Sequence, residues 1–192
     1  MIFYFSGTGN SKYTAKKIAE LTNDTIFSIA DILKSNVLEF DADERVGFVF
    51  PVYYFGIPII VHDFLKRVKF KNIKNKYIYL VLVCEKSTGT TAKSFKNILS
   101  TNGIMISSSF SISLPDNYIP MYNVSDMSAA KKWISDSNPR LNEICTGITS
   151  RIYGDFDNLK GFFPSLTSAL LYPYYKSHRK TKKFFSDSDC NS

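Results

Sequence analysis

The chain has 192 residues, 44% of them hydrophobic and 21% charged, and these values are typical of one globular domain with a well-buried core. Its 24 basic and 17 acidic residues give a formal net charge of +7, and its three cysteines are too few for a disulfide framework. No apolar run approaches the roughly 20 residues of a membrane-spanning helix, and the first residues lack the basic segment of a signal peptide. We therefore expect a cytoplasmic protein without a membrane span.

Strand and helix patterns alternate along the first 150 residues, because short apolar runs are followed by segments with apolar side chains at helical spacing. In chain order these patterns predict a strand at residues 2–5, a helix at 11–21, strands at 25–29 and 46–52, a helix at 58–68, a strand at 77–84, a helix at 91–100, a strand at 104–114 and a helix at 125–150. Pro58 is well placed in the first turn of its helix, whereas Pro139 argues against one unbroken helix at the end. Residues 149–186 contain the apolar run GFFPSLTSALLYPYY but give no clear periodic pattern, and a last helix covering the sheet, followed by a linker, is the interpretation for this segment.

This alternation predicts a doubly wound α/β fold, with an open parallel sheet of five strands and helices on both faces. In such sheets, ligands bind beyond the carboxyl ends of the strands, where the strand order reverses. Four loops rich in glycine, hydroxyl or aromatic residues directly follow predicted strands. We therefore expect the functional site at that edge of the sheet.

The first of these loops, here called the glycine loop, has the sequence SGTGNS at residues 6–11. A strand that ends in such a turn and continues into a helix presents backbone N–H groups at the positive end of the helix dipole. The loop contains hydroxyl and amide side chains but no Lys or Arg, which favours a phosphate held by neutral donors. The residues concerned are Ser6, Gly7, Thr8, Gly9, Asn10 and Ser11.

Two common nucleotide-binding patterns are absent from the glycine loop. The Walker pattern fails because Lys12 follows Ser11 and the glycine spacing is wrong. The dinucleotide pattern G-x-G-x-x-G fails because Lys12 stands where its third glycine would be. An ordinary tight turn with a helix cap remains an alternative interpretation.

The aromatic loop, PVYYFGIP at residues 51–58, follows the predicted strand at residues 46–52. Three consecutive rings in a loop can stack on a planar ligand, although some of them can instead pack as core. Gly56 permits its backbone carbonyl to change orientation at low steric cost. This loop is a candidate surface for a flat ring.

Two further loops follow the next strands. The threonine loop, EKSTGTT at residues 85–91, can contact a ring edge through backbone N–H groups beside Gly89. The proline loop, LPDNYIP at residues 114–120, offers the amide of Asn117 and the ring of Tyr118, and a simple proline-bounded turn is the alternative.

These motifs resemble those of a known family. FSGTGNS at the end of the first strand resembles the phosphate loop of flavodoxins, and FPVYYFGIP resembles their second loop. LPDNYIP resembles a motif of one subgroup, in which a flavodoxin-like domain is followed by a bacterial-type ferredoxin with two [4Fe–4S] clusters. The resemblance covers most of the chain and is strongest over residues 1–65 and 114–120.

The resemblance implies FMN as the cofactor and electron transfer as the function. It implies that the glycine loop, residues 6–11, binds the FMN phosphate. The other implied contacts are Pro51, Tyr53, Tyr54, Phe55 and Gly56 beside the isoalloxazine, Ser87, Thr88, Gly89 and Thr90 at its pyrimidine edge, and Asn117 and Tyr118 on the remaining side. By analogy, the carbonyl of Gly56 would accept a hydrogen bond from N5–H of the reduced flavin.

The resemblance also gives a meaning to Cys190, which lies in the polar segment FFSDSDCNS. A ferredoxin cluster motif begins C-x₂-C, so the next ligand would fall just beyond Ser192. Cys190 would then be the first [4Fe–4S] ligand of a longer chain, and an exposed thiol without a role is the alternative. The implied domains are residues 1–150 as the FMN-binding domain, 151–186 as a helical or linker extension and 187–192 as the start of a ferredoxin domain.

The net charge of +7 departs from ordinary flavodoxins, which are strongly acidic. Much of the excess lies in YYKSHRKTKKFF, a basic cluster that no nucleic-acid motif accompanies. A plain solvated face is one interpretation of this cluster, and an acidic partner, such as a ferredoxin domain or another redox protein, is the other. Three functions stay open. They are FMN-dependent electron transfer with iron–sulfur centres, a flavin-dependent oxidoreductase acting on NAD(P)H or a quinone, and a module that binds another anion without flavin.

Overall fold

Strands and helices alternate along the residues that the structure, a computed structural model, describes: residues 1–115 and 127–177. The elements are β1 (Ile2–Tyr4), α1 (Asn10–Thr22), β2 (Ile26–Ser28), α2 (Ile29–Ser35), β3 (Glu39–Asp41), β4 (Arg45–Pro51), α3 (Ile59–Arg67), β5 (Lys69–Lys71), β6 (Tyr77–Cys84), α4 (Thr91–Ser100), β7 (Ser108–Ser113), α5 (Met127–Thr149), β8 (Gly154–Phe156) and α6 (Pro164–Ser177).

The main sheet is parallel throughout and has the strand order β2-β1-β4-β6-β7-β8. This confirms the predicted α/β class with a parallel sheet, but the sheet has six strands and not five. The sixth strand, β8, pairs with β7 through Ser108 and Gly154, and its sequence GDF contains only one apolar residue, so no apolar run marks it. The chain first places β2 on one side of β1 and then crosses over to place β4 on the other side. The strand order therefore reverses at β1.

Apolar side chains of the strands alternate between two cores, one on each face of the sheet. In β6, Leu80 belongs to the core under α2, α3 and α4, whereas Tyr79 and Val81 belong to the core under α1 and α5. Both kinds of side chain are fully buried. Strands covered on both faces therefore show continuous apolar runs, which is why the sequence revealed them.

A second, two-stranded parallel sheet of β3 and β5 was not predicted. Each of its strands has three residues, of which only the middle one, Phe40 or Phe70, is partly buried. The rings of Phe40 and Phe70 pack edge-on against Phe3, at centroid distances of 4.8 and 5.5 Å. This sheet thus closes the edge of one core with two phenylalanine rings.

Helix α5 runs unbroken from Met127 to Thr149 with Pro139 inside it, contrary to the sequence expectation. Tertiary hydrogen bonds hold the helix on both sides of the proline. Ser137 Oγ donates to the Ser113 carbonyl at 2.7 Å, and the Arg140 guanidinium donates to the carbonyls of Ser111 and Phe156 at 3.1 and 2.7 Å. These contacts offset the hydrogen bond that proline cannot donate.

The segment predicted as a helical or linker extension, residues 151–186, contains β8, which was not predicted, and the helix α6. Helix α6 packs over the aromatic loop, at the carboxyl edge of the sheet, and carries several exposed apolar side chains, including Leu166 and Leu170. Among the described residues, no helix is long and apolar enough to cross a membrane.

Candidate functional site

The carboxyl ends of β1, β4, β6 and β7 meet at one edge of the sheet, and a cavity of about 550 Å³ opens there. Its position at the reversal of the strand order is the one expected for a ligand site in this fold class. The lining residues are Ser6, Gly7, Thr8, Asn10, Ser11, Pro51, Val52, Tyr53, Tyr54, Phe55, Val83, Cys84, Glu85, Leu114, Pro115 and Tyr175.

The glycine loop leads into α1 through Gly9, which has a φ of 112° and is the N-cap residue. No side chain caps this helix, and its first turn contains no acidic residue. The loop is shaped internally by a hydrogen bond of 3.0 Å from the Gly9 N–H to Ser6 Oγ. The first N–H groups of α1 are therefore left for an anion, and the helix dipole favours one there.

Ser11 provides a second indication, beside the free N–H groups of α1, that this site binds an anion. Its side chain is buried and lines the cavity, yet its hydroxyl has no hydrogen-bond partner among the described residues. A buried hydroxyl without a partner costs about 1–3 kcal/mol, so such groups are rare unless a ligand completes their bonding. The site is chemically suited to a phosphate-like group at the start of α1.

Asn10 joins two of the four loops. Its side-chain amide donates to the Pro115 carbonyl at 2.8 Å, and this bond fixes the glycine loop against the start of the proline loop. The side chain of Asn10 also lines the cavity. Asn10 therefore both shapes the site and borders it.

The aromatic loop contains a tight turn, here called the aromatic turn, at residues 53–56. Tyr53 and Gly56 exchange two backbone hydrogen bonds of 3.0 Å, and both central residues have positive φ, 48° for Tyr54 and 59° for Phe55. Positive φ at both central positions is the geometry of a type I′ turn, which normally uses Asn or Gly. Two bulky aromatic residues in this conformation store backbone strain of about 1–3 kcal/mol each, and such strain clusters at functional sites.

The rings of the turn face a third ring that the sequence analysis missed. Tyr175 of α6 stacks on Tyr54 with a centroid distance of 5.7 Å and an interplanar angle of 10°, and meets Tyr53 edge-on at 6.1 Å. Burial and the neighbouring Tyr175 raise the pKa of Tyr53, so its phenol stays protonated at neutral pH. No signal in the sequence linked Tyr175 to this loop, because the pattern of residues 151–186 did not show where that segment packs.

The glycine loop and the aromatic turn are packed closely together. A Cβ atom at Gly7 would lie 2.7 Å from the Tyr53 hydroxyl, so a larger residue there would displace the ring. The glycine at this position therefore permits the close approach of the two loops.

The predicted residues of the threonine loop do not line the cavity. Their polar groups bond instead to the segment after β8: Thr88 Oγ1 donates to Asp157 at 2.7 Å, and Ser87 Oγ donates to the Lys160 carbonyl at 2.9 Å. The N–H of Thr90 donates to Ser168 Oγ at 2.9 Å, and Gly89, at a φ of 57°, packs against Phe55.

Glu85, the first residue of the threonine loop, lines the cavity together with Cys84, the last residue of β6. Burial, with the nearby Asp157 and Glu85 carboxylates, raises the pKa of the Cys84 thiol to about 12. At neutral pH this thiol is therefore uncharged, and it acts as a small apolar wall.

Gly9 and Gly56 shape the loops without lining the cavity, whereas the remaining predicted residues of the glycine and aromatic loops line it. Asn117, Tyr118 and Cys190 lie outside the described residues. Within residues 1–115 and 127–177, no group of three or more His, Cys, Asp or Glu side chains could hold a metal ion.

The fold and the candidate site together define an α/β protein of the flavodoxin-like class. The candidate site lies at the carboxyl ends of β1 and β4, where the strand order reverses. The chain belongs to a flavodoxin family, because the family model described as "Flavodoxin domain" matches residues 1–108.

Solved structures with the same fold include two bacterial flavodoxins. A flavodoxin from Streptococcus pneumoniae TIGR4 is 14% identical, with 79% of this chain and 97% of that chain covered and a TM-score of 0.50. A Fusobacterium nucleatum flavodoxin bound to flavin mononucleotide is also 14% identical, with 79% and 96% covered and the same TM-score of 0.50. No curated protein matches the sequence.

Proposed function

We propose that this chain binds FMN and transfers electrons through it. The observation that carries the proposal is the buried hydroxyl of Ser11, which has no hydrogen-bond partner among the described residues and lies at the start of α1, in the same cavity as the rings of Tyr53 and Tyr54. One end of the cavity thus suits a phosphate and the other a flat ring. Membership of the flavodoxin family supports the same cofactor.

At the phosphate end, neutral groups would hold the ligand. The side chains of Ser6, Thr8, Asn10 and Ser11 line the cavity there, and the first N–H groups of α1 point the same way. Among the described residues, the lining contains no Lys or Arg. The described groups would therefore stabilise the negative charge of a phosphate through hydrogen bonds and the helix dipole.

At the ring end, apolar groups would exclude water from the cofactor. Val52, Val83 and Leu114 line the same cavity as the rings of Tyr53 and Tyr54. When bound, FMN supplies the redox chemistry, and the protein orients and shields it. Electron transfer needs no general acid or base, which suits a cavity whose thiol, Cys84, stays protonated.

For the partner, we propose an iron–sulfur protein. This part of the proposal is supported by the basic segment around Lys176 to Lys183, which suits an acidic redox partner, and by the resemblance to the subgroup with a ferredoxin domain.

The proposal is tested by titrating the purified, flavin-free chain with FMN and, in parallel, with riboflavin, while flavin fluorescence is recorded. We expect one FMN per chain and binding at least about ten-fold weaker for riboflavin, which lacks the phosphate that the glycine loop would bind. Absence of FMN binding, or equal affinity for both flavins, would contradict the proposal. A steady-state assay of NADH oxidation on the FMN-loaded chain separates the two redox functions, since a reductase would turn over without a protein partner.

A further inference from the structure

Helix α6 lies beyond residues 1–108, the part of the chain that matches the flavodoxin family, yet it packs on the aromatic turn. Three of its side chains reach the turn and the residues beside it: Ser168, Tyr172 and Tyr175. They follow one another at spacings of four and three residues, so they lie on one face of the helix.

Ser168 connects two loops of the site. Its buried hydroxyl donates to the Phe55 carbonyl at 3.0 Å and accepts from the Thr90 N–H at 2.9 Å. Phe55 is one of the two strained residues of the turn. This pair of hydrogen bonds therefore fixes the peptide that follows Phe55.

Tyr172 holds the other side of Gly56. Its hydroxyl donates to the Ile57 carbonyl at 2.7 Å, and its ring lies so close to Gly56 that a Cβ there would be 2.2 Å away. Burial and the neighbouring Tyr175 raise the pKa of Tyr172 to about 12, so the hydroxyl remains a donor at neutral pH. The carbonyls of Phe55 and Ile57, the residues on either side of Gly56, therefore both accept hydrogen bonds from side chains of α6.

Tyr175 supplies the contact with the cavity itself. Its ring stacks on Tyr54 and lines the cavity, and its hydroxyl accepts from the Ile59 N–H at 3.4 Å. The ring end of the cavity is therefore bounded by a residue that α6 contributes.

We propose that α6 holds the aromatic turn in the shape that receives the flavin ring, with Ser168 and Tyr172 as positioning residues and Tyr175 as one wall. The inference rests on the proposed binding of FMN. Its physical basis is the strain at Tyr54 and Phe55, because a turn with two bulky residues at positive φ relaxes to other conformations unless outside contacts hold it.

The test uses the double variant Ser168→Ala/Tyr172→Phe, which removes the hydrogen bonds and keeps the tyrosine ring. Its matched control is Ser165→Ala/Tyr153→Phe, which makes the same two changes at exposed positions. FMN and riboflavin affinities, the visible circular dichroism of the bound flavin, and amide hydrogen exchange are measured for both variants and the unmodified chain.

We expect the Ser168→Ala/Tyr172→Phe variant to bind FMN and riboflavin about ten-fold more weakly, by the same factor for both, because the defect lies at the ring end. Exchange of the amides at residues 53–57 should accelerate while that of β6 stays unchanged, and the dichroism of bound flavin should change. The control should match the unmodified chain, and Ser168→Thr with Tyr172 retained should restore affinity because it keeps the hydroxyl.

Equal FMN affinity in the two double variants would overturn the inference and leave the proposed function standing. Weaker binding with faster exchange throughout β6 would also overturn it, because the loss would then come from general destabilisation. If the unmodified chain binds no FMN, the proposed function fails and the inference fails with it.

Discussion

A buried hydroxyl without a hydrogen-bond partner destabilises the folded chain until a ligand completes its bonding. The Ser11 hydroxyl has no such partner among the described residues. We predict that Ser11→Ala leaves the free energy of unfolding of the flavin-free chain unchanged or raises it by up to about 1 kcal/mol, while FMN binding weakens about ten-fold. Chemical denaturation and fluorescence titration measure the two effects.

A control on the same helix is Thr22→Ala. The Thr22 hydroxyl is buried but donates to the Ile18 carbonyl at 2.9 Å, far from the cavity. This variant should lose stability and keep its FMN affinity. A Ser11→Ala variant with full FMN affinity would contradict the assigned role of Ser11.

Two neighbouring tyrosines on β6 offer a second comparison at this scale. The Tyr77 hydroxyl bonds to Ser108 Oγ at 2.7 Å and donates to the Ile152 carbonyl at 2.8 Å, whereas the fully buried Tyr79 hydroxyl has no partner within the described part of the chain. Tyr77→Phe should therefore lower the free energy of unfolding by about 1–2 kcal/mol, and Tyr79→Phe should leave it unchanged or raise it. Urea denaturation of both variants checks this, and an equal loss in the two would contradict it.

At the scale of elements, Pro139 lies inside α5 and lowers the stability of the helix. Because its side chain is exposed, burial of the ring does not compensate for this loss. Replacement by alanine restores an N–H donor for the Ser135 carbonyl and removes the clash of the ring with the preceding turn. We predict that Pro139→Ala raises the free energy of unfolding by about 1–3 kcal/mol. An unchanged or lower stability in thermal and urea unfolding would show that the helix already adapts fully to the ring.

Which elements the sequence predicted depended on their length and burial. β4 and β6 have seven and eight residues and are covered on both faces, so their apolar runs are unmistakable. β3, β5 and β8 each have three residues with a single phenylalanine as their only apolar side chain, so no apolar run marks them and their pairing partners decide the conformation. A helix that crosses a proline, such as α5, likewise depends on tertiary bonds that no local pattern records.

At the scale of the whole molecule, an ion pair joins the segment before β2 to the start of β4. The Arg45 guanidinium donates to Asp24 at 3.1 Å, and the Asp24 carboxylate is almost fully buried. Burial by itself would raise the pKa of Asp24, but hydrogen bonds with Thr22 and Arg45 outweigh it and hold the pKa below its usual value.

This lowered pKa makes stability depend on pH in one direction. The ionised carboxylate stabilises the fold above the unfolded-state pKa of about 3.9, and this contribution disappears as pH falls through the lower folded-state pKa. We predict that Asp24→Asn costs about 1–3 kcal/mol at pH 7 and that the difference from the unmodified chain shrinks below about pH 4. Urea denaturation at several pH values measures it, and a difference independent of pH would refute it.

The site was predictable where one strand and its loop carry the chemistry, and unpredictable where distant segments meet. The glycine loop and the aromatic loop both line the cavity, because a strand end fixes their place at the sheet edge. The threonine loop has a similar composition, but its donors bond to residues 157–168, which only the fold brings near. Tyr175 reaches the site through α6 for the same reason.

The order of the elements along the chain has a consequence for biosynthesis. Translation delivers all strands of the main sheet before α6, so a nascent chain can form the sheet while the ring end of the cavity still lacks its last wall. Until Ser168, Tyr172 and Tyr175 have left the ribosome, the aromatic turn lacks its contacts with α6, and only its own two backbone hydrogen bonds and the packing of earlier elements hold its strained shape. Retention of the proposed FMN would therefore be a late event in the maturation of this protein, after the folding of the sheet.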